Sequence, residues 1–290
     1  MLIKRHCPQR RALERKKRAG TVVRDAAWVQ REYGWEKWPD ILSKIKQHIA
    51  SGERSLSRVL AAVAREELGT PSLAPVEVIS FSKHVQVANS IASYGFYALV
   101  AEAVIAACQE NTQAIVDLGC GWGRSLFEVW LRGGTPSATY YGFDVTRAGI
   151  DCVEALAQLE PAMKVRTAEF DFYHPDYSSL SRPLEHAVVF TVSSIQQLPT
   201  IETEAYNAIL DIAKAIDCLH FEQIGWQMHP GERTAADREY ALRNDYNQNL
   251  WCVLSEMSRA GRLEFREVEP DVFGMQGIYP LTLVHWRKAQ

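Results

Sequence analysis

Three glycines at alternate positions close the stretch AIVDLGCGWG, residues 114–123. Gly119, Gly121 and Gly123 carry no Cβ, so the chain can turn sharply and a ligand can pack against bare backbone; Cys120 lies in the same loop. If a strand enters this loop and a helix leaves it, the free N–H groups of the helix start lie beside the ligand. In an open parallel sheet that edge is the binding crevice. A dinucleotide loop reads G-x-G-x-x-G, but here Arg124 stands where its third glycine would be. Asp117, two residues before the first glycine, would repel a pyrophosphate and attract an ammonium group. Asp144 ends TYYGFDV, where a carboxylate can accept both hydroxyls of a ribose. Asp171 ends AEFD, placed to accept from the exocyclic amine of an adenine, with Phe170 or Phe172 against the ring. Ammonium, ribose and adenine without phosphate describe S-adenosylmethionine. The glycines taken alone also allow a plain tight turn or a nicotinamide site.

The segment VDLGCGWG resembles motif I of the class I S-adenosylmethionine-dependent methyltransferases, with acids at Asp144 and Asp171 following at the family's distances. The resemblance covers roughly residues 78–288. It implies an α/β, Rossmann-like sheet of seven mostly parallel strands with an antiparallel last strand, S-adenosyl-L-methionine as cofactor, and methyl transfer at the end of the fourth strand. There the chain reads FTVSSIQQLP, without the Asn or Asp, paired prolines and aromatic residue common in enzymes that methylate base amines. Ser193 is expected either to touch cofactor or substrate or to start the next turn. For a hydroxyl acceptor, a general base contributes roughly 10²–10⁴-fold. HFEQIGWQMH offers Glu222 and His229 at or after the end of the fifth strand, and His174 in FYHPD is a further candidate. Asp237, Glu239 and Asp245 are strung along one segment and read as a surface face, so no metal site is expected.

These residues need elements to hold them. After a helical N-terminal part, strands and helices alternate from AIVDLGC onward, which means a parallel sheet covered on both faces. LEFREVEPDVFG and LTLVHWRK follow one another without a helix and read as an antiparallel pair. WPDILSKIKQHIA and SLSRVLAAVAREELG carry apolar stripes at helical spacing and are stopped by glycines. TPSLAPVE, 70–77, reads as a linker, and a further helix is expected over about 83–109. The expected division is a basic, mobile arm (1–24), a helical lid or subdomain (25–77) and a methyltransferase domain (78–290).

Residues 1–24 hold nine Lys or Arg against one acid, +8 in a chain of net charge −3, so the rest carries −11. A basic arm on an acidic body suits nucleic acid or another polyanion. The acidic body, and the absence of a recognisable RNA-binding module, favour a small-molecule acceptor instead: a sugar or secondary metabolite methylated on oxygen or nitrogen. An RNA or protein substrate held by the arm is the alternative. Six scattered cysteines with no C-x-x-C pair fit a reducing cytoplasm. No apolar run is long enough to suggest a membrane span, the longest being FYALVAEAVIAAC, 96–108.

Overall fold

The computed structural model describes residues 23–69, 72–180, 184–229, 231, 234–275 and 280–289. The basic run before Val23 lies outside them. Its chain order begins with α1 (Ala26–Val29), a π-helical stretch over Gln30–Lys37, α2 (Trp38–Ala50) and α3 (Leu56–Leu68). A hairpin of β1 (Pro75–Ser80) and β2 (Lys83–Ala88) leads into α4 (Asn89–Ala107). Then come β3 (Thr112–Leu118), α5 (Arg124–Leu131), β4 (Thr139–Asp144), α6 (Arg147–Ala157), β5 (Val165–Glu169) and β6 (His186–Val192). The remainder is α7 (Thr203–Leu210), β7 (Ala215–Glu222), α8 (Gly225–Met228), α9 (Ala235–Arg243), α10 (Leu250–Arg259), β8 (Leu263–Met275) and β9 (Leu281–Lys288).

All nine strands form one sheet in the order β2-β1-β8-β9-β7-β6-β3-β4-β5. Strands β3 to β7 are parallel, and β9 runs antiparallel to both β7 and β8. The central strands are apolar on both faces because both faces are covered. One face packs Tyr206, Ile209, Leu250 and Leu254 of α7 and α10 against the sheet. The other packs Val100 and Val104 of α4, Phe127 of α5 and Val153 of α6, with Ile41 and Ile45 of α2 and Val59 and Val63 of α3 in the same cluster.

The structure corrects several boundaries. TPSLAPVE is not purely a linker: Pro75 opens β1, a position proline tolerates because no ladder N–H is needed there. The expected boundary at 77/78 therefore falls inside a strand, and that strand joins the main sheet through β8. The hairpin adds two strands to the seven expected and delays α4 to Asn89. At 19 residues with mean hydropathy 1.5, α4 is long and apolar enough to cross a membrane by length and composition. Here Val100, Ala101 and Val104 pack it into the core.

Candidate active site

A cavity of about 470 Å³ lies at the carboxyl ends of β3, β4 and β6. Its floor is the loop between β3 and α5. Gly119, Gly121 and Gly123 have φ of +76°, +53° and +84°, the left-handed region that glycine enters without strain. A Cβ on Gly119 would collide with the Ser194 side chain, and one on Gly121 would stand 2.8 Å from Cζ2 of Trp38. The glycines thus let two protein elements close on the loop: the turn after β6 and the start of α2. Asp117, Gly119, Cys120, Gly121, Asp144, Asp171, Phe172 and Ser193 all line the cavity. Gly123 does not; it sits just beneath, where a Cβ would meet Val153 at 2.8 Å.

The acids differ in how they are held. Asp144 Oδ2 accepts the Gly121 N–H at 2.8 Å, and Oδ1 accepts the Thr146 N–H and hydroxyl at 2.8 and 2.6 Å. Burial pushes its carboxyl up, opposed by those same hydrogen bonds. Asp117 is 1% exposed, and its Oδ1 has no hydrogen-bond partner. Burial, then the Asp144 charge, push it well above the usual carboxylate range. A buried acceptor without a donor is costly, so it suits a cationic or donor group brought by a ligand. Asp171 lies two residues beyond the end of β5, because the strand stops at Glu169; its Oδ1 accepts the Tyr173 N–H at 2.9 Å. Phe172 meets Phe170 edge to face, ring centroids 5.0 Å apart.

Ser193 has φ +52°, rare for a non-glycine residue, and donates its N–H to Phe221 O at 2.9 Å. Ser194 Oγ donates to Leu118 O at 2.8 Å, tying this turn to the glycine loop. Glu222 holds the turn from below. It accepts the N–H groups of Ser194 and Ile195 on Oε1, both at 3.1 Å, and of Gln196 on Oε2 at 3.0 Å.

That geometry corrects the two candidate bases. Glu222 is fully buried at the end of β7 and does not line the cavity. Its oxygens are committed to backbone, so it positions a loop instead of meeting an acceptor. Burial nonetheless pushes it up to about 7, against the pull of those N–H groups. His229 is exposed at the end of the four-residue α8, and neither it nor the exposed His174 lines the cavity.

The N-terminal segment forms part of the wall. Arg24, expected in a mobile arm, is buried. Its guanidinium lies between the rings of Trp28 and Tyr246, 3.9 and 4.2 Å from their centroids. It donates to Asn244 O at 2.7 Å and to Gln197 Oε1. Gln30 reaches Val145 O at 3.1 Å, and Tyr33 and Trp38 pack with centroids 5.3 Å apart at the cavity edge. Sequence reasoning did not assign Arg24, Tyr33, Trp38, Tyr97 or Arg124 to the site. Arg124 carried a signal, since it directly follows the third glycine.

No family model matches the chain, and no curated protein does either. Solved structures do resemble it in shape. The mitomycin 7-O-methyltransferase MmcR is 14% identical, with 91% of this chain and 70% of that one covered at a TM-score of 0.45. The plantazolicin methyltransferase BpumL in complex with SAH is 12% identical, with 86% and 99% covered at 0.45. EvdMO1 is 13% identical, with 71% of this chain but only 42% of that one covered, at 0.40. Similarity this distant concerns shape alone. The strand order and the reversed β9 speak for themselves. The fold is a Rossmann-like α/β sheet, parallel from β3 to β7 and closed by the antiparallel β9. Its cavity sits where the β3–α5 loop, the end of β4 and the turn after β6 converge.

Proposed function

We propose that the protein is an S-adenosylmethionine-dependent methyltransferase acting on oxygen or nitrogen of a small molecule. The observation that carries the reading is a cavity in which a bare glycine loop meets Asp117, Asp144 and Asp171. Asp117 has an unpartnered buried oxygen for an ammonium group. Asp144 stands at the strand end for the ribose hydroxyls, and Asp171 with Phe172 for the adenine. When bound, the cofactor supplies an electrophilic methyl group on sulfur. The chain's own part is to orient: the turn at Ser193–Gln197, clamped by Glu222, fixes one wall, and Arg24, Tyr33 and Trp38 form another. Holding donor and acceptor in line within about 3–3.5 Å provides much of the rate in such transfers. The rings of Tyr33 and Trp38 at the cavity edge would exclude water from that line.

The small-molecule acceptor is supported by the N-terminal segment: Arg24, Val29, Tyr33 and Trp38 line the cavity and narrow the face that a polymer would approach. The sugar or secondary-metabolite class, and a cytoplasmic location, are part of the proposal. The basic run that would serve an RNA substrate lies outside the described residues. The test is transfer of labelled methyl from S-adenosylmethionine to panels of hydroxylated and amino metabolites, and separately to RNA and peptides. Label on a small molecule is the expected result. Label on RNA alone, with a steep fall as salt rises, would replace the small-molecule acceptor with a polymer.

A further inference from the structure

Arg124, the first residue of α5, faces the same cavity. Its side chain is only 5% exposed. The guanidinium carbon lies 3.6 Å from the Tyr97 ring centroid, with the Tyr94 and Trp122 rings at 5.9 and 6.0 Å. The Tyr97 ring orients the guanidinium plane and its side chain also hydrogen-bonds the guanidinium, which leaves the Nε edge for a planar acceptor. The Nε is buried with no hydrogen-bond partner. The carboxylate beside it, Glu128, stops at 4.0 Å from Nε and also approaches Arg132 at 3.5 Å. Burying a permanent cation with an unmet donor is unfavourable unless something completes it. Asp117, at the other end of the glycine loop, presents the matching deficit of opposite sign. Among the described residues, the other buried side-chain cations and anions at this end of the sheet, Arg24, Asp144 and Glu222, are hydrogen-bonded to the protein.

We propose that Arg124 is the carboxylate receptor of this cavity, binding a carboxylate of its ligand through Nε and one terminal nitrogen. Stacking on Tyr97 holds the fork in plane, which is how arginine takes a carboxylate in two parallel hydrogen bonds. Two ligands bring that group. One is the methionine end of the cofactor, an assignment that rests on the methyltransferase reading, and which pairs Arg124 with Asp117 around one α-amino acid head. The other is an acidic acceptor.

Calorimetry on the full chain separates them. S-adenosylhomocysteine and 5′-methylthioadenosine share adenosine and thioether, but only the first has the amino acid. Arg124→Gln should weaken S-adenosylhomocysteine by 10- to 100-fold and leave 5′-methylthioadenosine unchanged. Arg124→Lys, which keeps the charge without the fork, should fall between. If S-adenosylhomocysteine is unaffected, benzoate titrated into protein saturated with it should bind wild type and not Arg124→Gln, which assigns the carboxylate to the acceptor. Wild-type affinity of Arg124→Gln for both S-adenosylhomocysteine and benzoate overturns the proposal, as does equal weakening of the two adenosine ligands. Should Arg124→Gln fail to fold by circular dichroism, Arg124→Lys decides: a fivefold or greater selective loss supports the proposal, and unchanged affinity overturns it. Failure of wild type to bind either adenosine ligand counts against the methyltransferase reading, and the benzoate comparison then still tests Arg124 itself.

Discussion

The two ends of the parallel strands bury carboxylates in opposite ways. At the amino ends, Asp217 on β7 is 1% exposed and takes hydrogen bonds from His186 at 3.0 Å, His285 at 2.7 Å and Arg287 at 2.5 Å. Burial raises its carboxyl, but those bonds outweigh burial and hold it below the ordinary range. At the carboxyl ends, Asp117 on β3 is equally buried, yet its Oδ1 meets no donor, and burial pushes it up. One acid is finished by the fold and the other waits for a partner. The first kind holds the structure together. On the proposed reading, a ligand completes the second kind.

Breaking the finished end should cost the most. Asp217→Ala strands two histidines and an arginine, and removal of one partner from a buried charge network costs about 3–5 kcal/mol. Urea denaturation should show that loss, while S-adenosylhomocysteine affinity of the folded protein stays at the wild-type value. A large change in affinity would mean that the two ends are coupled.

Glu222 gives the next effect, a pH dependence. Burial pushes its carboxyl from the ordinary 4.5 up to about 7, so the folded state binds its proton more tightly. The associated stability is full below about 4.5 and is lost as pH rises through about 7, a change on the order of 3 kcal/mol. Denaturation midpoints should fall across that window in wild type and flatten in Glu222→Gln. An unchanged slope in the variant would show that another group titrates.

Asp117→Asn should do the reverse of Asp217→Ala. It removes an unpartnered buried carboxylate, so stability at pH 7 should hold or rise. Ligand affinity should fall by one to two decades, the equivalent of a charge-assisted hydrogen bond of about 1.5–3 kcal/mol. Destabilisation without loss of affinity would place Asp117 with the structural acids.

The smallest effect sharpens the comparison within the site end itself. Arg24 is there too, but its nitrogens are bonded to Asn244 and Gln197. Arg24→Ala should therefore behave as a structural change, worth about 1–2 kcal/mol. Its readout is greater quenching of tryptophan fluorescence as Trp28 loosens.

The sheet was legible in the sequence because its strands are short apolar runs ended by chemistry-bearing residues. VDLGCGWG announced a strand, a loop and a helix together, and Asp144 ends β4 as expected. The hairpin was not legible, since KHVQVA alternates weakly and its neighbours Pro71 and Pro75 read as a break. The glycine-loop face of the cavity followed from spacing along the chain. Its other wall did not, because Arg24, Tyr97 and Tyr246 meet only in three dimensions. Glu222 was misread for a related reason: a carboxylate at a strand end looks the same in sequence whether it faces a ligand or the backbone of the next turn. Gly121 was marked as bare backbone for a ligand; what requires glycine there in the structure is its positive φ and the Trp38 ring packed against it.

The most direct test of the central claim is calorimetric titration of the full chain with S-adenosylhomocysteine and, separately, with a nicotinamide dinucleotide. The account predicts one-to-one binding of S-adenosylhomocysteine, weakened 10- to 100-fold by Asp144→Ala through loss of the charge-assisted ribose bonds, and no binding of the dinucleotide. Binding of the dinucleotide instead, or no binding of S-adenosylhomocysteine by the folded protein, would contradict it.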